Sequence, residues 1–184
     1  MKRIFATLIL VVASGFIFAG GAKTMPVKSG SGDSSKNVIR FTTTDLDGNR
    51  VTEKIFADNK ITMINIWGTF CGPCIREMPD LAKLNEANKG KGVEVVGIVV
   101  DILDRKGNVD SRIKSTAETI IAQTGANYTH IVPSKEMLNG LLKNVQAVPA
   151  TIFVDSNGNQ IGEVFLGSKS QKDWQKIIDE ILKK

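Results

Sequence analysis

The sequence predicts an α/β fold with a mixed central sheet flanked by helices. Three observations lead there. Short β-branched apolar runs alternate with stretches of helical periodicity from Asn37 onward. The only two cysteines, Cys71 and Cys74, stand where such a run meets such a helix. Near the C-terminus, two strand patterns flank Ser156-Asn157-Gly158-Asn159 and an amphipathic segment follows, as in a closing hairpin and helix.

Taken in order, Lys2 and Arg3 precede an uncharged stretch of 19 residues, Ile4 to Ala22, which ends in Ala19-Gly20-Gly21-Ala22. A positive start, an apolar middle and a small-residue end make an export signal. The stretch also approaches the ~20 residues that span a bilayer. Residues 1–22 therefore stand as either a signal peptide or an uncleaved signal anchor. No cysteine follows closely enough for N-terminal lipidation. Residues 23–36 (KTMPVKSGSGDSSK) are rich in Gly, Ser and Lys without periodicity and read as a flexible linker, or as a leftover after cleavage. Residues 37–184 form the domain.

Within it, Val38–Thr43 and Arg50–Ile55 flank an Asp47-Gly48 turn, predicting a hairpin ahead of the central strand. Ile61–Trp67 is the central strand. Cys74, Met78, Leu81, Ala82 and Leu84 give the next segment helical spacing, and Pro73 suits its first turn. Val93–Asp101 is apolar enough for a strand covered on both faces. A polar loop, Leu103–Asn108, leads to a helix from Asp110 that stops at Gly125. Tyr128–Val132 is a short strand. Ser134 caps a helix carrying Met137, Leu138, Leu141, Leu142 and Val145. Ala150–Asp155 and Gln160–Phe165 make the closing hairpin, and Ser170 with Asp173 opens a helix whose core face is Trp174, Ile177, Ile178, Ile181 and Leu182.

Composition excludes several function classes. Lys2 and Arg3 account for two of the net +5 charge, and the remaining +3 is spread without a basic block, so nucleic acid is not expected as a partner. With two cysteines and one histidine, His130, the chain lacks the four ligands of a closed zinc site, and no metal is expected. His130 begins a short strand, where a structural or solvent-facing role is expected. A purely structural disulfide across three residues would close too short a loop to stabilise much. Redox chemistry fits better. A cysteine ahead of a helix faces the free N–H groups and positive dipole end of the first turn, which favour the attacking thiolate. Cys71 is expected exposed at the helix tip, with Cys74 one turn in, shielded and within disulfide reach.

This order of parts resembles the thioredoxin fold. Trp67-Gly68-Thr69-Phe70-Cys71-Gly72-Pro73-Cys74-Ile75-Arg76-Glu77-Met78-Pro79 is similar to the W-x-x-x-C-x-P-C-x-x-E-x-P signature of the TlpA/ResA-like thiol–disulfide oxidoreductases. The early hairpin, the Val93–Asp101 strand and Val148-Pro149-Ala150-Thr151 fit the same family, over Asn37 to Leu182. Phe70 departs from the commoner Trp, and Leu103–Asn108 is longer than in many members. The resemblance implies a thioredoxin fold with an N-terminal β-hairpin addition and a central α/β insertion. It implies that Cys71 attacks a substrate disulfide and that Cys74 resolves the mixed disulfide. It implies that Pro149 is a cis-proline facing the pair, the alternative being an ordinary trans turn proline. Trp67, Gly72, Pro73, Val148 and Pro149 would border the substrate; simple core filling is the alternative for Trp67. Glu77 matches the acidic residue of the ResA-like branch, as a proton relay or as a first-turn acid favouring the helix dipole. Asn65 stands where thioredoxin has a buried Asp, and an amide cannot take a proton from Cys74. Pro79 is expected to kink the helix.

The expected function is reduction of disulfides in exported proteins by a C-G-P-C pair, with no cofactor beyond the Cys71–Cys74 disulfide. The family implies a CcdA/DsbD-type membrane electron donor. Acceptors would be apocytochrome c, an exported methionine sulfoxide reductase or a peroxidase. The protein would work in the cell envelope, periplasm or cell surface, as a monomer. Two other function classes compete with this one. A peroxiredoxin-type peroxidase would resemble P-x-x-x-[ST]-x-x-C, but Thr69 stands two residues before Cys71, not three, and no proline precedes it correctly. A non-catalytic binding module would keep its function without either cysteine.

Overall fold

The computed structural model describes residues 39–183. The expected signal segment, the linker and the domain start at Asn37 lie outside the described residues. Among the described residues, no helix is long and apolar enough to cross a membrane.

A small antiparallel hairpin, β1 (Thr42–Thr44) and β2 (Arg50–Thr52), comes first. Its second strand is shorter than expected. The Thr52 hydroxyl accepts the Lys54 N–H, and Glu53–Phe56 coil into a 3-10 turn that buries Phe56 edge-on against Phe41. Burying an aromatic ring outweighs extending an exposed strand. The central strand, β3 (Ile61–Trp67), is buried along its whole length. Helix α1 (Gly72–Asn88) follows, with Cys71 as its N-cap; Pro79 lies inside the helix, which runs on to Asn88. Strand β4 (Val93–Val99) stops two residues earlier than expected.

Helix α2 (Ser111–Thr124) begins and ends as predicted. Asp110 accepts the Arg112 and Ile113 N–H groups, and Gly125 closes the helix in the left-handed conformation. Strand β5 is only His130–Ile131. Helix α3 (Lys135–Asn139) is one short piece, not the longer helix expected. Gly140 takes a non-helical conformation, and Leu141–Val145 continue as turns that still bury Leu142. Strands β6 (Ala150–Asp155) and β7 (Gln160–Leu166) form the closing hairpin, and α4 (Gln171–Leu182) is capped by Ser170.

The five-stranded sheet has the order β5-β4-β3-β6-β7. Strand β3 runs parallel to β4 and antiparallel to β6, so the expected mixed sheet is present. Side chains alternate across it with the period of a strand. Met63 and Trp67, with Val95 and Phe153, face Met78 and Leu81 of α1, Ala117 of α2 and Trp174 of α4. Ile64 and Ile66, with Val96, Ile98 and Ile152, face Met137, Leu142, Phe41 and Phe56. The small hairpin leans on β5 through Leu46 N–H to the His130 carbonyl at 3.0 Å and Val132 N–H to the Thr44 carbonyl at 2.9 Å.

Candidate active site

Strand β3 delivers the chain to one end of the sheet, and a four-residue connection turns it into α1. Cys71 and Cys74 are joined as a disulfide at that turn, with their Cα atoms 5.2 Å apart. The Cys71 sulfur accepts the Cys74 N–H at 3.2 Å, so it occupies the place of a capping oxygen. The same N–H is aimed at any charge that develops on that sulfur after reduction. Gly72 is partly open and Pro73 exposed, so the approach to the pair runs over this first turn.

Cys71 is less exposed than expected. It keeps 5% of its surface against 1% for Cys74. Its sulfur is bonded inward to Cys74 and belongs to the main core cluster with Trp67 and Met78. The order of accessibility is as predicted; its extent is not.

The connection itself is held from β4. Past the end of that strand, the Asp101 carboxylate accepts the Thr69 N–H at 3.0 Å and also the Thr69 hydroxyl. Phe70, immediately before Cys71, is 71% exposed and lies over Gly68. A Cβ there would come 2.6 Å from the ring, so a larger residue would push the exposed Phe70 ring aside.

Trp67 lies in the core, the alternative its sequence position left open. It is fully buried, and its indole N–H donates to His130 Nδ1 at 3.1 Å. His130 is buried as well, so the solvent-facing role does not hold. The indole can only donate and the Ala126 carbonyl, 2.9 Å from Nε2, can only accept, so His130 is the neutral tautomer with its proton on Nε2. Burial pushes its pKa down to about 4, with the Ala126 carbonyl opposing. Its ring stacks on Tyr128 and lies over Gly97, where a Cβ would fall 2.2 Å from Nδ1.

Glu77, one turn beyond Cys74, is 4% exposed. Its Oε1 accepts two N–H groups, from the Lys169 backbone at 2.7 Å and the Trp174 indole at 2.8 Å. Its Oε2 is buried without a partner. Burial pushes the carboxyl above the ordinary carboxylate range. The Lys169 N–H, the Trp174 indole, the Lys169 ammonium and the Asn65 amide pull against it, in that order. Asn65 faces the same side of the sheet from β3, opposite Gly97 and Thr151, and its amide atoms also lack a direct partner. So does the Tyr128 hydroxyl, which burial first and the Glu77 charge second push above the ordinary tyrosine range. The first-turn helix contains no acid, so Glu77 acts one turn too late to complement the dipole there.

The Val148–Pro149 bond is cis. Because Ile66 pairs with Ala150, Pro149 comes beside the end of β3 from which the Cys71 connection departs. Pro149 is buried and its carbonyl accepts the Gly167 N–H at 2.9 Å; Val148 is half-buried. Phe70 and Val148 meet across an open apolar groove of about 450 Å³, completed by Leu138, Leu142 and Val145. Among the described residues, no group of three or more His, Cys, Asp and Glu is arranged to hold a metal ion.

Of the residues named from sequence, Cys71, Gly72, Pro73, Cys74 and Glu77 lie at the head of α1, Val148 and Pro149 lie just before β6, beside the end of β3, and Trp67 lies in the core. Sequence reasoning missed Trp174, Lys169 and Asp101. Trp174 reads only as part of a core stripe, although a buried indole N–H needs an acceptor and so flags a nearby carboxylate or carbonyl.

Residues 24–182 match the Redoxin family. A thiol–disulfide oxidoreductase ResA from Bacillus thuringiensis subsp. konkukian is 37% identical over 102 residues, 55% of this chain and 57% of that protein. Another ResA, from Bacillus thuringiensis strain Al Hakam, is 26% identical over 97% of this chain and 94% of its own length. The fold is similar to that of a thioredoxin-family thiol:disulfide interchange protein from Chlorobium tepidum, with a TM-score of 0.65, 20% identity, and coverage of 80% of this chain and 97% of that one. With a cysteine pair already bonded at the head of α1, the chain belongs to the Redoxin family and is a ResA-like thiol–disulfide oxidoreductase.

Proposed function

We propose that this protein reduces disulfides of exported proteins by dithiol–disulfide exchange at Cys71 and Cys74. One observation carries the proposal: the Cys71 sulfur sits at the N-cap of α1, accepting the Cys74 N–H, within bonding reach of its partner sulfur. In the reduced protein the Cys71 thiolate attacks one sulfur of a substrate disulfide, and the other substrate sulfur leaves with the electron pair. Cys74 then loses its proton and attacks Cys71. The Cys71–Cys74 bond forms, the mixed disulfide breaks, and the substrate departs with two electrons gained and the pair two electrons poorer.

Glu77 takes the Cys74 proton in the resolving step. Its carboxyl is buried one turn from Cys74, with one oxygen unengaged, and is raised toward the working pH of a base. Gly72, Pro73, Val148 and Pro149 border the substrate, and the apolar groove beside Phe70 takes its side chains. Electrons return to the pair from a CcdA/DsbD-type membrane donor. The substrates are apocytochrome c, or an exported methionine sulfoxide reductase or peroxidase. The apolar stretch behind Lys2 and Arg3 supports export, cleaved or anchored, and the domain works as a monomer.

The test is trapping. A Cys74→Ser variant cannot resolve, so mixed disulfides should accumulate on Cys71 and identify the substrates by mass spectrometry. Cys71→Ser should trap nothing and lose turnover. Equal turnover in the double Cys71→Ser, Cys74→Ser variant would end the proposal.

A further inference from the structure

The last helix reaches the chemistry from 97 residues away in sequence. Three contacts along one stripe of α1 fasten α4 to it. Trp174 and Lys169 engage Glu77, Gln171 N–H donates to Asp80 at 3.2 Å, and Gln175 exchanges side-chain hydrogen bonds with Asn88 at 2.7 and 3.1 Å. Trp174 is fully buried and wedged edge-on between Phe153 and Phe165, at 6.1 and 5.8 Å between ring centroids. Its N–H direction is therefore fixed by packing, not by the carboxylate it meets. Both N–H groups land on the same oxygen, Oε1, and none on Oε2.

We infer that Trp174 is a positioning residue for the exchange reaction: together with the Lys169 amide it saturates one oxygen of Glu77, leaving Oε2 as the single atom through which that carboxyl trades a proton. This rests on the reading of Glu77 as the base in resolution. A carboxyl with two equivalent oxygens would carry its proton on either, and half of those placements would point at donors that cannot accept it. An indole N–H and an amide N–H have no lone pair to offer, so a proton on Oε1 would face two other protons. The proton is thereby confined to Oε2. The same two donors stabilise the charged carboxylate and hold its titration below where burial alone would put it.

Other groups facing the carboxyl leave this division intact. The Lys169 ammonium lies over the Trp174 ring at 5.4 Å and the Phe165 ring at 5.9 Å, and lends the carboxylate a positive neighbour. Asn65 is uncharged. The Tyr128 hydroxyl stays protonated beside the Glu77 charge. Asp80, further along α1, is engaged with the Gln171 N–H. Cys74, one turn back, is the proton donor of the reaction.

The experiment compares Trp174→Phe with wild type by two readouts, the carbon-13 titration of the Glu77 carboxyl in the reduced full chain and the pH profile of disulfide reduction. Phenylalanine keeps a ring among Phe153 and Phe165 but has no N–H. Losing one donor to a charged acceptor should raise the Glu77 titration by about one pH unit, move the rate profile up by the same amount, and slow reduction about tenfold below the step. Lys169→Pro removes the other donor without touching the core and should shift the titration further than Lys169→Met, which removes the ammonium alone. If Trp174→Phe does not fold, that proline–methionine comparison decides. Glu77→Gln is the control. If it abolishes the pH step while Trp174→Phe and Lys169→Pro titrate as wild type, the positioning role is overturned and Glu77 stands as the base. If Glu77→Gln leaves the profile unchanged, the Glu77 reading itself falls.

Discussion

Gly97 and His130 show how a residue without a side chain can be as specific as one with an imidazole. They face each other across β4 and β5, and the ring takes the space a Cβ would need. That close approach aims Nδ1 at the Trp67 indole and Nε2 at the Ala126 carbonyl, an arrangement only the neutral ring satisfies. Burial disfavours the charged ring and pushes its pKa down to about 4, and a protonated Nδ1 would also face the Trp67 donor. In the unfolded chain the same imidazole protonates near pH 6.5. A depressed folded pKa contributes stability that is complete above about pH 6.5 and lost as the pH falls toward 4, by about 3 kcal/mol. Glu77, with its raised pKa, works the other way: it protonates more readily when folded, so acid does not cost the fold its burial. Urea unfolding should therefore show lower stability at pH 4.5 than at pH 7.5. The chain's one histidine gives a single imidazole resonance to follow, and a midpoint near pH 6.5 in the native protein would contradict the buried neutral ring.

Among the elements, the connection between β3 and α1 depends on a neighbour that is not part of either. Asp101, just past β4, holds Thr69 by its N–H and its hydroxyl, and Thr69 in turn fixes where Phe70 and Cys71 leave the sheet. Asp101→Ala should cost about 1–2 kcal/mol of stability through the lost hydrogen bonds. It should also slow disulfide exchange several-fold, because the N-cap geometry of Cys71 is no longer set in advance. Asp101→Asn, whose amide oxygen still accepts the Thr69 N–H, should fall between. Exchange at the wild-type rate in Asp101→Ala would show that α1 alone positions Cys71. This clamp also marks the boundary of what the sequence displays. Helix α2 was legible to the residue because its signals, Asp110 and Gly125, act on the backbone within one turn. Helix α3 was not, because Leu141, Leu142 and Val145 keep a helical spacing although Gly140 has already broken the helix. The cysteine pair was legible from local order along the chain, and Glu77 and Pro149 through the resemblance to the TlpA/ResA-like signature. The partners of Glu77 were not, since they lie 92 and 97 residues downstream and only packing brings them in.

For the molecule as a whole, the sheet order brings two distant connections to one end, and their exposed residues define what can approach the disulfide. Phe70 comes from the segment before α1, Val148 from the segment before β6, and Leu138 and Leu142 from the broken α3 region. A folded domain has little reason to hold an aromatic ring 71% exposed and Leu138 44% exposed around one groove unless something apolar is laid against them. The groove adjoins Cys71 through Phe70 and Pro149 through Val148, so a substrate whose disulfide reaches Cys71 would rest its flanking side chains there. Phe70→Ser removes the groove's aromatic wall without touching Cys71, Cys74 or Glu77. Losing one ring contact of that size should raise KM for protein disulfides about tenfold with kcat little changed. A small aromatic disulfide reagent, which needs no flanking contacts, should be reduced at the wild-type rate. If both substrates slow equally, Phe70 serves the geometry of the cysteine connection and not recognition. If neither slows, the substrate approaches from the exposed Pro73 side, and Phe70 faces a partner other than the disulfide being reduced.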